Sequence, residues 1–329
     1  MKYYVDSKIL ESDKPLSLKE IFDKLEFGTD VLGAEINGEI KDFYFNPADE
    51  SKIYPIFLGN EKSLTLIRHS TAHILAQAVQ SIYPDTKVTI GPVIEDGFYY
   101  DFYTDRNFTE DDLKLFENKM HEILEKNVSF EKEVINKEKA LEIFSNMGET
   151  FKKEIINDLD ESQEISLYKQ GDWFDLCRGP HLPNSTFIKS FKLLSVAGSY
   201  WRGDETRESL QRIYGTAFSS SKDLKKHLKI LEEAKKRDHR KLGKELNLFH
   251  LQEEAVGSVF WHKKGWSIYL EIESYMRRKL NKTYEEVKTP QVIDRSLWEK
   301  SGHWDKFQEH MFMAKGDDEK VLALKPMNC

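Results

Sequence analysis

The chain has 329 residues, with 49 Lys and Arg against 57 Asp and Glu and a net charge of −8. That length suits two or three domains with real cores, and the acidic balance argues against a general nucleic-acid binder. No apolar run approaches the ~18 residues of a membrane span, MKYYVDSKILESDK has no signal-peptide pattern, and two distant cysteines, Cys177 and Cys329, exclude a disulfide framework and point to a reducing cytoplasm.

Residues 1–60 predict a small α/β module. KYYV reads as a strand, and a helix through SLKEIFDKL puts Leu18, Ile21, Phe22 and Leu25 on one face. VLGAEINGEIKDFYF predicts two strands around Asn37-Gly38, a hairpin turn signal. A strand–helix–hairpin unit of this size resembles a β-grasp domain. Residues 64–83 predict a helix ended by Pro84, followed by a strand region in GPVIEDGFYYDFY. Thr109 with Asp112 three residues on predicts a capped helix to Asn127. SFEKEVI then reads as a strand and KEKALEIFSNM as a helix, and the chain is loop- and strand-rich to about 218. Residues 222–244 carry ten Lys or Arg against four acids, with Leu224, Leu228, Leu231 and Ala234 at helical spacing. They predict one basic helix, either simply solvated or lying beside a polyanion such as RNA. A last unit opens near 245, with a long helix over KKGWSIYLEIESYMRRKLN.

The candidate chemistry sits in two pairs. In HSTAH, His69 and His73 are four apart and share one side of the predicted helix. At about 100° per residue they fall opposite the apolar stripe of Thr71, Ile74, Leu75, Ala78 and Ile82, beside Ala76 and Gln80. That face suits the floor of a polar pocket. The pair lacks the glutamate of HExxH, so a zinc-protease base is missing. The second pair is Cys177 and His181 in DLCRGPH, where Gly179-Pro180 forbids a regular helix. The four residues admit three roles: a tetrahedral zinc set, a metal-free acid/base and hydrogen-bonding cluster, or a buried Cys177 with incidental histidines. Cys177 as a nucleophile has no activating context beyond Arg178.

Six stretches in order carry a resemblance: RHSTAHILAQAV, GPVIEDGFYYDF, GDWFDLCRGPHLP, LLSVAGSYWRGDETRESLQRIYGTAF, DHRKLGKELNLF and LALKPMNC. Together they resemble the N-terminal part of the threonyl type of class II aminoacyl-tRNA synthetases. HxxxH with CxxxH also occurs in alanyl-type enzymes, but the leading β-grasp module and LGKELNLF point to the threonyl type.

The resemblance implies a multidomain α+β chain. Residues 1–60 would be a TGS-like β-grasp domain, and residues 61–220 an editing domain that removes serine from the threonine tRNA. Residues 221–242 would be a basic linker helix, and residues 243–329 the start of a class II antiparallel-sheet catalytic domain. The matching editing residues are His69, His73, Lys152, Asp175, Cys177 and His181. His73 and Lys152 would position water and stabilise charge; the others would shape the pocket, which the family uses without metal. Read by itself, Lys152 in FKKEII looks like a surface lysine. The complete enzyme is a cytoplasmic homodimer that joins threonine to its tRNA with ATP and Mg, and it holds one zinc ion, to which Cys329 would be a ligand.

Other zinc ligands, the ATP-binding arginines and the anticodon domain would follow Cys329. The expectation is a fragment able to edit but not to activate threonine. A freestanding seryl-tRNA deacylase and a non-catalytic tRNA-binding module are the alternatives.

Overall fold

The computed structural model describes residues 1–160, 163–315 and 320–325, which fall into two units, Met1–Ala234 and Lys235–Cys329. It is a mixed α+β chain with several separate sheets.

The first unit opens with β1 (Lys2–Val5) and β2 (Lys8–Glu11), then α1 (Leu18–Lys24), β3 (Val31–Ile36), β4 (Glu39–Lys41) and β5 (Lys52–Phe57). A capping box starts α1: Ser17 accepts from the Glu20 N–H, and the Glu20 carboxylate accepts from the Ser17 N–H at 2.8 Å. It buries Leu18, Ile21 and Phe22 against Tyr3, Val5, Val31 and Ile53. Asn37 (φ 53) and Gly38 (φ 82) make the hairpin turn. The sheet order is β2-β1-β5-β3-β4, two strands more than the sequence pattern predicts. β5 carries Pro55 opposite Ala34, and a proline inside an apolar run masks a strand.

α2 (Ser63–Ile82) is the axis of the larger region. β6 (Lys87–Val88), β7 (Val93–Ile94) and β8 (Gly97–Tyr103) follow, then α3 (Glu110–Glu125), β9 (Phe130–Ile135), α4 (Lys137–Asn146) and α5 (Thr150–Asp158). β10 (Ile165–Gln170), β11 (Trp173–Leu176), β12 (Ser190–Tyr200) and β13 (Ser209–Phe218) complete it. One sheet runs β12-β13-β8-β6, with β7 beside β8, and a second runs β11-β10-β9. α2 contributes Leu66, Ile67, Ile74, Leu75, Ala78 and Val79 to the main core. Its opposite side is not solvated as on a surface helix: Ala76 is also in that core, and His73 is buried. Thr109 caps α3 in a box with Asp112.

α6 (Ser221–Lys236) does not continue to 244. The predicted single helix is broken, and α7 (His239–Glu245) starts afresh. Asp238 is the reason, since its side chain accepts from the N–H groups of Arg240 (2.8 Å) and Lys241 (3.4 Å), a cap that competes with helix continuation. Leu224, Leu228 and Leu231 are half-buried, and Ala234 is exposed.

The second unit holds β14 (Phe249–His250) paired with β15 (Phe260–Trp261), the long α8 (Lys263–Leu280), β16 (Val292–Asp294), α9 (Arg295–Lys300), α10 (His303–Phe307), β17 (Met313–Lys315) and β18 (Val321–Leu324). Its three-stranded sheet, β16-β18-β17, is antiparallel. Trp298, Trp304, Met311 and Ala323 form a small core. Cys329, the predicted zinc ligand, lies outside the described residues.

Candidate functional site

α2, β8, α5, β11 and the loop after β11 enclose a cavity of about 420 Å³, within the usual range of ~300–1,000 Å³ for small-ligand pockets. Its wall includes His69, His73, Tyr100, Lys152, Asp175 and Cys177. His181 is buried and sits against them: its ring centroid is 4.2 Å from that of His69 and 4.2 Å from that of His73. All six predicted residues of the region therefore converge.

The loop Cys177–His181 is shaped by its contacts. The Cys177 N–H donates to the Ser166 carbonyl at 3.1 Å, and the Ser166 hydroxyl donates to the Cys177 carbonyl at 2.6 Å. Gly179 has φ +76, and a Cβ there would come within 2.4 Å of Tyr168 Oη. Only glycine fits that position.

Within the cluster the proton positions follow from the partners. His69 Nδ1 lies 3.0 Å from the Pro180 carbonyl, which can only accept. His69 therefore carries its proton on Nδ1 and, while neutral, offers Nε2 as an acceptor. Cys177 Sγ is 3.3 Å from that Nε2 and 3.3 Å from His181 Nε2, so the thiol S–H points at His69. Burial pushes the Cys177 thiol up to about 12, which keeps it protonated and removes it as a thiolate nucleophile. Ser70, adjacent to His69 in α2, holds His181 through Nδ1 at 3.1 Å and accepts from the Leu182 N–H at 2.9 Å. Burial holds His73 and His181 well below the ordinary histidine value, and it lowers His69 too, against the Pro180 carbonyl. His73 Nδ1 is buried with no hydrogen-bond partner among the described residues.

Opposite the imidazoles, Lys152 Nζ is 2.6 Å from Asp175 Oδ1, and both side chains are nearly fully buried. Tyr100 donates its hydroxyl to Asp175 Oδ2 at 2.5 Å, and the Leu176 N–H donates to Oδ1 at 2.8 Å. Lys152 is no surface lysine. Burial, then the adjacent Asp175, holds the Tyr100 phenol well above its ordinary value.

The three imidazoles and the thiol have ligand atoms within 4.8 Å of one another. Such a set is able to hold a tetrahedral zinc ion. Bound there, zinc would supply Lewis acidity and would require the thiolate in place of the S–H bond to His69.

Residues 165–214, from β10 into β13, match the family model described as the threonyl and alanyl tRNA synthetase second additional domain. The threonine–tRNA ligase of Ehrlichia canis (strain Jake) is 53% identical over 305 residues, 92% of this chain and 48% of that protein. That of Rickettsia akari (strain Hartford) is 54% identical over 91% of this chain and 47% of its own length. By sequence, the chain is similar to threonine–tRNA ligases along most of its own length. It spans about half the length of the curated synthetases it matches. A crystal structure of the RNA binding domain of threonyl-tRNA synthetase from Cryptosporidium parvum Iowa II is 38% identical, covering 28% of this chain and 24% of that one, at a TM-score of 0.26.

Sequence reasoning missed several residues around this pocket. Ser70, Tyr168, Gln170 and Trp173 surround the histidines: Gln170 donates to the His73 carbonyl at 3.1 Å, and the Trp173 ring lies 5.8 Å from that of His73. Ser70 had a visible signal, being between the two histidines in sequence and about 60° from His73 around α2. Glu149 had none. It is buried, accepts from Gln80 at 2.7 Å, and burial raises its carboxyl.

A pH prediction follows from these shifts. The three buried imidazoles take up protons less readily than the ordinary value of 6.5 allows. Below about pH 6.5 the denatured chain therefore binds more protons than the folded one, and stability falls with pH by up to about 1.4 kcal/mol per pH unit for each histidine. Glu149, raised from 4.5 by burial, has the opposite sign and acts as pH falls through its raised value. Above pH 9 the denatured thiol ionises while the buried Cys177 thiol, at about 12, does not, so stability falls again. Hydrogen exchange at the α2 amides should show greatest protection between about pH 6.5 and 9 once corrected for intrinsic rates. Protection still rising from pH 6 to 5 would contradict the assignment.

Proposed function

We propose that the pocket hydrolyses serine wrongly esterified to the threonine tRNA, as the editing site of a threonine–tRNA ligase. The observation that carries this is one cavity joining His73, with its buried unpartnered Nδ1, to the Lys152–Asp175 pair. Neutral His73 orients a water and accepts its proton as the oxygen adds to the ester carbonyl. The Lys152 ammonium, held by Asp175, stands by the oxyanion that forms. The bond to the ribose oxygen then breaks, that oxygen takes up the proton, and free serine leaves with an intact tRNA. His69, Cys177 and His181 hold the wall through their mutual hydrogen bonds. A second sieve is needed because threonine and serine differ by one methyl. A synthetic pocket separates such a pair by only about 10–200-fold.

In this proposal residues 1–60 are the TGS-like β-grasp domain, 61–220 the editing domain, 221–242 the linker and 243–329 the start of the class II catalytic domain. The complete ligase would use threonine, ATP with Mg, and zinc, in the cytoplasm. No step above runs through those groups. A homodimer is supported by α8, which exposes Trp266, Ile268, Ile272, Tyr275 and Met276. No helix among the described residues is long and apolar enough to cross a membrane. The similarity to ligases along the chain speaks against a freestanding deacylase or a non-catalytic binding module.

The test is to incubate the chain with seryl-tRNA and threonyl-tRNA and follow release of each amino acid. Serine should be released at least about 10-fold faster, the lower bound for one-methyl discrimination. Equal rates, or no release above the uncatalysed background, would remove the hydrolytic assignment.

A further inference from the structure

We propose that Asp42, carried by the N-terminal module, is a positioning residue of the editing pocket. The proposal rests on the hydrolytic assignment above. Asp42 follows β4 and is buried, at 6% exposure. It does not line the cavity, so it has no direct part in the chemistry. Its carboxyl instead grips the loop that does.

Asp42 Oδ2 accepts from the Tyr168 hydroxyl at 2.5 Å and from the His181 backbone N–H at 3.1 Å. Its Oδ1 accepts from the Tyr44 N–H at 3.1 Å. The path to the site is short. His181 Nε2 is 3.3 Å from Cys177 Sγ, and the His181 ring centroid is 4.2 Å from that of His73. Tyr44 adds a second link. Its hydroxyl donates to the Phe130 carbonyl at 3.0 Å, and the Phe130 ring stacks on His181 at 5.3 Å and 5°. Gly179 closes the arrangement from the loop side, since a Cβ there would come within 2.7 Å of Asp42 Oδ2.

An interface held by apolar packing alone would leave the loop's backbone donors to other partners. Here two of the three donors that one carboxyl collects come from β10 and from the loop itself. Both lie next to the imidazole that orders the cluster. Displacing reacting groups by about 1 Å can cost on the order of 10²-fold in rate. The N-terminal module thus does more than neighbour the pocket. It fixes the height of the Cys177–His181 loop over His69 and His73.

The test uses the full chain with Cys329→Ser, so that Cys177 is its sole thiol. Asp42→Ala, Asp42→Asn and Tyr168→Phe are compared for kcat and KM of seryl-tRNA deacylation and for the alkylation rate of Cys177 by iodoacetamide. Asp42→Ala should lower kcat about 10–100-fold with KM within about threefold, and it should speed alkylation severalfold as the loop loosens. Asp42→Asn should fall between, because in either amide orientation one N–H faces a donor. Tyr168→Phe, which removes a single hydroxyl, should show both effects at smaller size. It decides the matter alone if circular dichroism shows Asp42→Ala to be unfolded. Unchanged kcat and unchanged alkylation in the folded variants would overturn the proposal. If the parent chain has no deacylase activity, the hydrolytic assignment fails. The alkylation contrast then decides the positioning role by itself.

Discussion

Replacing His73 with alanine is expected to slow deacylation of seryl-tRNA by about 10²–10⁴-fold, the usual contribution of a placed general base. The size follows from its surroundings. His73 is 2% exposed, and its ring is enclosed by those of His69, His181 and Trp173 at centroid distances of 5.3, 4.2 and 5.8 Å. Its carbonyl is bound by Gln170, so both the backbone and the ring are held. Burial keeps the imidazole well below its ordinary value, so it is neutral, and able to accept a proton, throughout the physiological range. The acid limb of the rate profile should accordingly lie below pH 6.5. Alanine also leaves a cavity, so hydrogen exchange across α2 must show the helix intact before rates are compared. An intact variant within about threefold of the parent rate would take His73 out of the chemistry.

Much of this site was legible because its two pairs are local. A four-residue spacing on a helix brings His69 and His73 together by backbone geometry alone. Cys177 and His181 are equally close in sequence, and Gly179-Pro180 announces the shaped loop between them. Lys152 was legible only through the resemblance. Two adjacent lysines in FKKEII offer no reason to bury one, and the partner that buries it, Asp175, comes from a separate strand. Asp42 was beyond reach for the same reason carried further: its contact with His181 spans 139 residues. The fold shows a parallel split. The capping box at Thr109 and the Asn37-Gly38 turn are written in nearby residues, and they form as read. β5 was hidden by Pro55, and the break at Asp238 was hidden inside a run of charge that looked uniformly helical.

The Lys152–Asp175 pair should separate chemistry from stability more sharply than any other change. Lys152→Met removes one partner and leaves Asp175 2% exposed beside apolar atoms. Breaking a buried pair in this way typically costs about 3–5 kcal/mol. The Tyr100 hydroxyl and the Leu176 N–H still bind Asp175, which places the expected loss toward the lower end. Asp175→Leu strands the ammonium instead, leaving it the Tyr100 hydroxyl at 3.4 Å, and should cost more. The double variant Lys152→Met, Asp175→Leu removes both charges and should recover most of the loss, because paired removal avoids an uncompensated buried charge. Hydrogen exchange of unit-one peptides measures this without interference from the second unit. Activity should behave differently. If Lys152 stabilises the oxyanion, the double variant stays as inactive as Lys152→Met although its stability returns. A double variant that regained deacylation would make the pair a scaffold and leave the oxyanion without its cation. One whose loss equalled the sum of the two single losses would show that the two side chains are not energetically coupled, against the 2.6 Å contact between them.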